Sequence, residues 1–183
     1  MPLSHYAAQD DLARFLRQRY ANKPVVVTEM ALAGSYGDQG RIDVAAMWST
    51  SRYRKHLVYG YEVKVTRADF LADLRAEKWR RYLSQVDRLF FAVTEGVAQP
   101  EEVPPEAGLL VRVENEGAGW RQLRKAPQQV RTADPALPWR LAFRLDRTLR
   151  ETDSQLRWVR ERVRELERDR RPTPPEDGSP VPP

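Results

Sequence analysis

The sequence contains no cysteine among its 183 residues and only two histidines, His5 and His56. Disulfide bonds and thiolate metal sites are therefore excluded, and so few histidines make a zinc site unexpected. The absence of cysteine also fits a reducing compartment. No run approaches the ~18 apolar residues of a membrane span, and the start of the chain lacks the pattern of a signal peptide. We expect a cytoplasmic protein with no membrane partner.

The charge is only mildly positive, with 31 Lys and Arg residues against 26 Asp and Glu residues and a net charge of +5. That excess permits a polyanionic partner but does not by itself establish one. Apolar residues make up 41% of the chain, which is enough for the core of one domain.

The hydrophobic pattern alternates between helical and strand-like periods over the first two thirds of the chain. Strands two and three form a predicted hairpin after the first strand, and a strand–helix–strand unit implies a parallel pair. The sequence thus predicts an α/β fold with a mixed sheet and helices on both faces. The predicted elements are a helix (residues 3–20), strands (25–33, 41–48 and 56–65), a helix (66–84) and further strands (87–96, 109–114 and 120–126).

The composition changes after Pro127. The predicted parts of the chain are a domain (1–130), a linker (131–138), a long helix (139–171) and a disordered proline-rich tail (172–183). The long helix has a heptad pattern that is typical of a coiled coil, which would make the protein a homodimer. There are two alternatives. The helix packs back onto the domain, or it remains a single charged helix that binds a partner. The heptad positions are Ala142, Leu145, Leu149, Thr152, Leu156, Val159, Val163 and Leu166.

Charged residues lie in or beside three of the apolar strands, and Glu29 is in the first of them. Glu62 and Lys64 share one face of strand three because side chains alternate along a strand, and Asp43 lies in the strand before it. Converging carboxylates would raise each other's pKa and destabilise the fold. A bound Mg²⁺ or Mn²⁺ would remove this repulsion, with Asp43, Glu62 and the Val63 carbonyl as its ligands. Lys64 could then orient an attacking water and offset charge on a phosphate. This set predicts phosphodiester hydrolysis.

A Glu-x-Lys sequence alone is common on solvated strand faces, so the apolar frame of LVYGYEVKV is what favours a site. Thr66 and Asp69 resemble a capping box at the start of the next helix; either could also serve the site, Asp69 by holding Lys64. Trp79 and Tyr82 are expected in the core.

Asp43, the Glu62-Val63-Lys64 sequence and the motifs that flank them resemble the PD-(D/E)XK nuclease superfamily, and more narrowly the MmcB-type family of DNA repair proteins. The resemblance covers about Val27–Val113, and Ile42 stands where the superfamily usually has proline. It implies a restriction-endonuclease-like core, with Asp43 and Glu62 as metal ligands, Lys64 as the catalytic lysine and Glu29 as an auxiliary acid. The motifs are Arg41-x-Asp43, Glu62-Val63-Lys64-x-Thr66-x-x-Asp69-Phe70, Lys78-Trp79-x-x-Tyr82 and Asp87-Arg88-Leu89-Phe90-Phe91-Ala92-Val93.

Basic residues surround the predicted site, with ten Lys or Arg against five acids from Arg52 to Arg88. This arrangement suits a DNA backbone that approaches the metal, although a solvated helix face would also be basic. The predicted DNA contacts are Arg41, Arg52, Arg54, Lys55, Arg67, Lys78 and Arg81.

The leading hypothesis is a metal-dependent DNA endonuclease in repair, recombination or phage and plasmid DNA processing. The alternative is a catalytically weak or inactive nuclease-fold protein that binds DNA and recruits partners through its C-terminal helix. Restriction-type defence is less favoured because no separate recognition domain is evident.

Overall fold

The computed structural model describes residues 3–20, 25–31, 40–50, 55–113, 119–132 and 136–169. Within these ranges, six strands form one sheet in the order β1-β2-β3-β4-β5-β6. β1, β2 and β3 are antiparallel neighbours, β4 lies parallel to both β3 and β5, and β6 is antiparallel to β5. The predicted mixed sheet is confirmed. Its strands are β1 (Val25–Ala31), β2 (Arg41–Thr50), β3 (Lys55–Lys64), β4 (Arg88–Thr94), β5 (Ala107–Arg112) and β6 (Trp120–Arg124).

The described residues also form three α-helices, namely α1 (His5–Arg19), α2 (Arg67–Ala76) and α3 (Leu137–Asp169). α1 is capped by Ser4, whose hydroxyl accepts a hydrogen bond from the Ala7 N–H. α2 is capped by Thr66, whose hydroxyl accepts from the Asp69 N–H at 3.2 Å and donates to the Asp69 carboxylate at 2.8 Å. The predicted capping role of Thr66 is therefore confirmed.

The prediction of one continuous helix to about Ser84 was wrong. α2 ends at Ala76 because Glu77 adopts the left-handed conformation, with φ of 48°. A short 3₁₀ helix, Lys78–Tyr82, follows it. A 3₁₀ helix repeats every three residues, so Trp79 and Tyr82 are both buried. The same spacing of three also fits an α-helix, which is why the sequence pattern did not show the break.

The two faces of the sheet are covered by different helices. Phe90 and Phe91 are neighbours on β4 and so point to opposite faces. Phe90 stacks on Tyr61 within the cluster that contains Leu12 of α1. Phe91 meets Phe70 of α2 edge to face, with ring centroids 5.4 Å apart. β4 is buried on both sides, which explains its unbroken apolar run.

The chain divides into two compact units, Met1–Arg144 and Leu145–Pro183. Within the first unit, the guanidinium of Arg144 donates to the carbonyl of Thr28 at 2.6 Å. The second unit contains the remainder of α3, in which residues 151–165 are all exposed. The predicted tail (172–183) lies outside the described residues. Among the described helices, none combines the length and apolarity needed to cross a bilayer.

β2 and β3 stop pairing just before the predicted site. Their paired register ends at Val44 and Tyr61, although β2 continues to pair with β1 as far as Arg41. Val44 belongs to the cluster under α1, whereas the side chain of Ile42 lies against Gly60 on the other face. Residues 42 and 44 would share a face in a regular strand, so the alternation of side chains along β2 is interrupted at Asp43. This irregularity opens the end of the hairpin.

Glycine is required at position 60 because the side chain of Ile42 packs directly over it. A Cβ at position 60 would overlap Ile42 Cδ1 and approach Val86 Cγ1 to 2.9 Å. We predict that Gly60→Ala lowers the free energy of unfolding by about 1–3 kcal/mol through overpacking. Urea denaturation of the variant and the wild type measures this loss.

Ile42→Val provides the control, because it removes the Cδ1 atom that the new methyl group would strike. The double variant Gly60→Ala, Ile42→Val should lose less stability than the sum of the two single losses. Strict additivity would contradict the assigned contact.

Candidate functional site

A pocket of about 390 Å³ lies at the carboxyl end of β3, between α2 and the 3₁₀ helix. Glu62, Val63 and Lys64 of β3 all line it, together with Asp73 of α2. Acidic and basic side chains share this small volume, so their pairing decides what the pocket can bind.

Lys64 is held between two buried carboxylates. Its ammonium lies 2.9 Å from Asp73 Oδ2 and 3.3 Å from Glu62 Oε2. The side chains of Glu62 and Asp73 are only 6% and 5% exposed. We call Glu62, Lys64 and Asp73 the charge cluster. It contains two acids and one base, so it carries an excess of negative charge when both acids are ionised.

The pKa values of the cluster follow from burial and from these neighbours. Desolvation raises the pKa of Glu62 to about 8, and the nearby charge of Asp43 adds to that shift. Burial on its own would lower the pKa of Lys64, but Glu62 and Asp73 outweigh it and hold that pKa above its usual range. Lys64 is therefore a cation throughout the physiological range, whereas Glu62 strongly favours a proton or another cation.

Two oxygens in the cluster make no hydrogen bond in the described part of the protein. They are Glu62 Oε1 and Asp73 Oδ1, and both are buried. An unsatisfied buried carboxylate oxygen is costly, and a hard divalent cation is one ligand that would satisfy it. The donor chemistry thus fits Mg²⁺ or Mn²⁺. The described residues contain no group of three or more acids or histidines arranged around one point, so such a cation would keep several waters.

Asp43 lies across the gap between β2 and β3. Its Oδ2 accepts a hydrogen bond from the Val63 N–H at 2.7 Å, and its Oδ1 lies 3.6 Å from His5 Nε2. The N–H and C=O of a strand residue point to the same side, so the Val63 carbonyl also faces this gap. Asp43 thus lies at the same end of the hairpin as Glu62 and Val63 but, unlike them, does not line the pocket, so this ligand set stays a prediction.

Glu29 lies on β1 beside Asp43, between the paired positions Thr28–Val44 and Met30–Ile42. Its φ is 50°, a left-handed conformation that is unusual for glutamate. Its carboxylate is 3.4 Å from the guanidinium of Arg41. Backbone strain of this kind is concentrated at functional sites, but Glu29 does not line the pocket, so its auxiliary role stays a prediction.

The predicted DNA-binding residues separate into three groups. Arg41, Lys78 and Arg81 line the pocket. Arg67 does not: its guanidinium forms a bidentate ion pair with Glu102, about 2.5–2.7 Å in length, so nothing in the geometry supports a DNA contact there. The other predicted DNA contacts lie outside the described part of the chain, namely Arg52, Arg54 and the side chain of Lys55.

Tyr82 combines a core position with a position at the site. Its ring is buried, but its hydroxyl donates to the Arg41 carbonyl at 3.1 Å and accepts from the Arg81 guanidinium at 3.0 Å. The hydroxyl thereby ties the 3₁₀ helix to the start of β2. Burial, followed by the charge of Glu62, holds the pKa of Tyr82 above its usual range.

Sequence reasoning missed two residues of the site. Asp73 binds Lys64 in the position that was considered for Asp69; Asp73 follows the buried Phe70 by three residues, so helical phasing would have identified it. His5 has no place among the predicted site residues, yet it lines the pocket and faces Asp43. No local pattern identifies His5, because the contact joins the first helix to β2.

Comparisons with known proteins found one matching family and one similar solved structure. The sequence matches the family described as DNA repair protein MmcB-like over residues 11–147, which is more than half of the chain. The chain belongs to the MmcB-like DNA repair protein family. Comparison with curated proteins gave no match.

A solved structure, the SPO1766 protein of unknown function from Silicibacter pomeroyi, is similar to this chain. The two share 26% sequence identity and superpose with a TM-score of 0.53, over 89% of this chain and 96% of the other. The family indicates a DNA-related role, and the structural similarity supports the same α/β architecture.

The contact between His5 and Asp43 predicts a pH-dependent contribution to stability. The close approach of the Asp43 carboxylate raises the pKa of His5; burial and Lys64 oppose this rise, and Glu29 adds to it. The stabilisation is therefore complete below the unfolded pKa of about 6.5 and is lost as pH rises through the folded pKa. In chelator, His5→Ala should cost at most about 1 kcal/mol at pH 5.5, because His5 is partly solvated.

Urea denaturation at pH 5.5 and pH 8.5 checks this prediction, with a smaller loss expected at the higher pH. His56→Ala controls for the removal of an exposed imidazole. An equal loss at the two pH values would show that the ion pair with Asp43 does not form.

Proposed function

We propose that this protein is a Mg²⁺- or Mn²⁺-dependent phosphodiester hydrolase of the PD-(D/E)XK type that cuts DNA in repair, recombination or phage and plasmid DNA processing. The observation that carries the proposal is the charge cluster: two buried carboxylates with unsatisfied oxygens and a lysine, at the open end of a hairpin that also presents Asp43. A cytoplasmic location with access to DNA is part of this proposal.

Each residue has a defined part in this reaction. Asp43, Glu62 and the Val63 carbonyl would hold the cation, which supplies Lewis acidity and lowers the pKa of a coordinated water. Lys64 orients the attacking water through its ammonium and offsets the negative charge that builds on the phosphate. Both tasks require an ammonium group in a fixed position. The ion pairs with Glu62 and Asp73 hold the Lys64 ammonium in place.

The rim of the pocket supplies the contacts to DNA. Arg41, Lys78 and Arg81 are exposed and line the opening. Cations at such positions bind backbone phosphates without reading the base sequence. The substrate would then be placed with one phosphate over the charge cluster.

A second candidate is a nuclease-fold DNA-binding protein with weak or no catalysis. The ion pairs of Lys64 favour it, because a lysine already offsets part of the buried negative charge without any metal. Such a protein would bind DNA through the same rim and recruit partners through α3.

A cleavage assay separates the two candidates. Single-stranded, duplex and branched DNA are incubated with the protein in Mg²⁺, in Mn²⁺ and in chelator. We predict metal-dependent cleavage that falls on the order of a hundredfold or more in Asp43→Asn and in Lys64→Met, because each variant removes a charge that acts in the transition state.

Asp10→Asn and Lys125→Met are matched controls, since both residues are exposed and neither lines the pocket. Cleavage that is equal in the site variants and the controls would contradict the catalytic assignment. DNA binding without any cleavage by the wild type would support the second candidate instead.

We also propose that α3 forms a homodimer through the heptad positions within residues 139–171. Leu149, Leu156, Val159 and Val163 are between 47% and 70% exposed, so the apolar stripe is not covered within the described chain. A second copy of the helix would bury it at a and d positions. Ion pairs such as Arg157–Asp153, four residues apart, lie on the helix surface and stabilise it alone.

Sedimentation velocity tests this dimer. The wild type should sediment as twice the chain mass of 21.2 kDa, and Leu156→Glu should give the monomer because it places a charge in the apolar seam. Trp158→Glu is the control, since Trp158 is 66% exposed but lies off the stripe. A monomeric wild type, or equal dissociation by the two variants, would reject the seam.

A further inference from the structure

Asp73 is the member of the charge cluster to which neither the motif nor the mechanism assigns a task. It lies on α2, three residues after Phe70, and its side chain is 5% exposed. Phe70 packs on Phe91 of the sheet, and residues three apart share a helix face. The packing of α2 therefore fixes the direction in which Asp73 points.

The burial of Asp73 is explained by Lys64. A buried carboxylate is costly unless it is paired, and the described contacts of Asp73 Oδ2 are with the Lys64 ammonium, at 2.9 Å. That distance is shorter than the 3.3 Å between the ammonium and Glu62 Oε2. Lys64 is thus drawn towards α2, although Glu62 is on its own strand.

We propose that Asp73 is a positioning residue that holds the Lys64 ammonium on the α2 side of the pocket and so leaves Glu62 available to a divalent cation. The inference rests on the proposed function, because it assumes that the cation binds Glu62. Without Asp73, the remaining described partner of the ammonium is Glu62, and Lys64 would then compete with the cation for that carboxylate.

The unpartnered Asp73 Oδ1 offers a competing role, in which Asp73 is itself a ligand of the cation. The two roles differ in their dependence on Lys64. A ligand contributes to metal affinity whether or not the lysine is present. A residue that acts by holding the lysine contributes only while the lysine is there.

A double-mutant cycle on metal affinity separates these roles without any measurement of cleavage. Isothermal titration with Mn²⁺ alone is carried out on the full chain as wild type, Asp73→Asn, Lys64→Met and the double variant. We expect Asp73→Asn to weaken Mn²⁺ binding about tenfold when Lys64 is present. In the Lys64→Met background, the same change should weaken binding by a smaller factor, because no ammonium is then left to compete with Mn²⁺ for Glu62.

Two further variants control the cycle. Asp10→Asn removes an exposed carboxylate outside the pocket and should leave Mn²⁺ affinity unchanged. Asp73→Glu keeps a carboxylate within reach of Lys64 and should restore a large part of the affinity that Asp73→Asn loses. Thermal unfolding in chelator verifies that every variant is folded.

Each outcome decides between the proposals. Equal weakening in the two backgrounds would make Asp73 a ligand and overturn the positioning role. Unchanged affinity in Asp73→Asn, with a wild type that binds Mn²⁺, would overturn the positioning role and leave the proposed function intact. A wild type that binds no Mn²⁺ would overturn the proposed metal site, and this inference with it.

Discussion

The burial of negative charge at the end of β3 is the constraint on which the site depends. Glu62 and Asp73 are almost fully removed from solvent, and one lysine is shared between them. Desolvated carboxylates favour protons or cations, and the raised pKa of Glu62 expresses that preference. A chain that needed only a stable sheet would place apolar side chains here at lower cost. The proposed cation would offset this cost.

The fold supplies the geometry that brings these charges together. β2 remains paired with β1 as far as Arg41, whereas its pairing with β3 reaches only Val44, and the Ile42 side chain lies against Gly60. The opening lets the Val63 N–H bind Asp43 across the gap. Glu29, next to this break on β1, adopts a left-handed conformation. Irregular strands thus coincide with the predicted ligands, as expected where function competes with regular pairing.

Much of the fold was predictable because its strands and helices have distinct hydrophobic periods. The strand triplet, the parallel β3–β4 pair and the Thr66 cap all follow from local pattern. The break at Glu77 was not predictable from the sequence, since apolar residues spaced by three fit both an α-helix and a 3₁₀ helix. At the site, Glu62 and Lys64 came from strand alternation, whereas His5 reaches Asp43 through a tertiary contact that no local pattern encodes.

The central claim, that this pocket binds a divalent cation between the strands, is tested most directly by crystals grown with Mn²⁺. An anomalous difference map at the manganese edge should show a peak between Asp43 and Glu62, close to the Val63 carbonyl and about 2–2.5 Å from the carboxylate oxygens. Lys64 should then contact Asp73 rather than Glu62. A map with no peak in the pocket, and with Lys64 still bridging both carboxylates, would contradict the account.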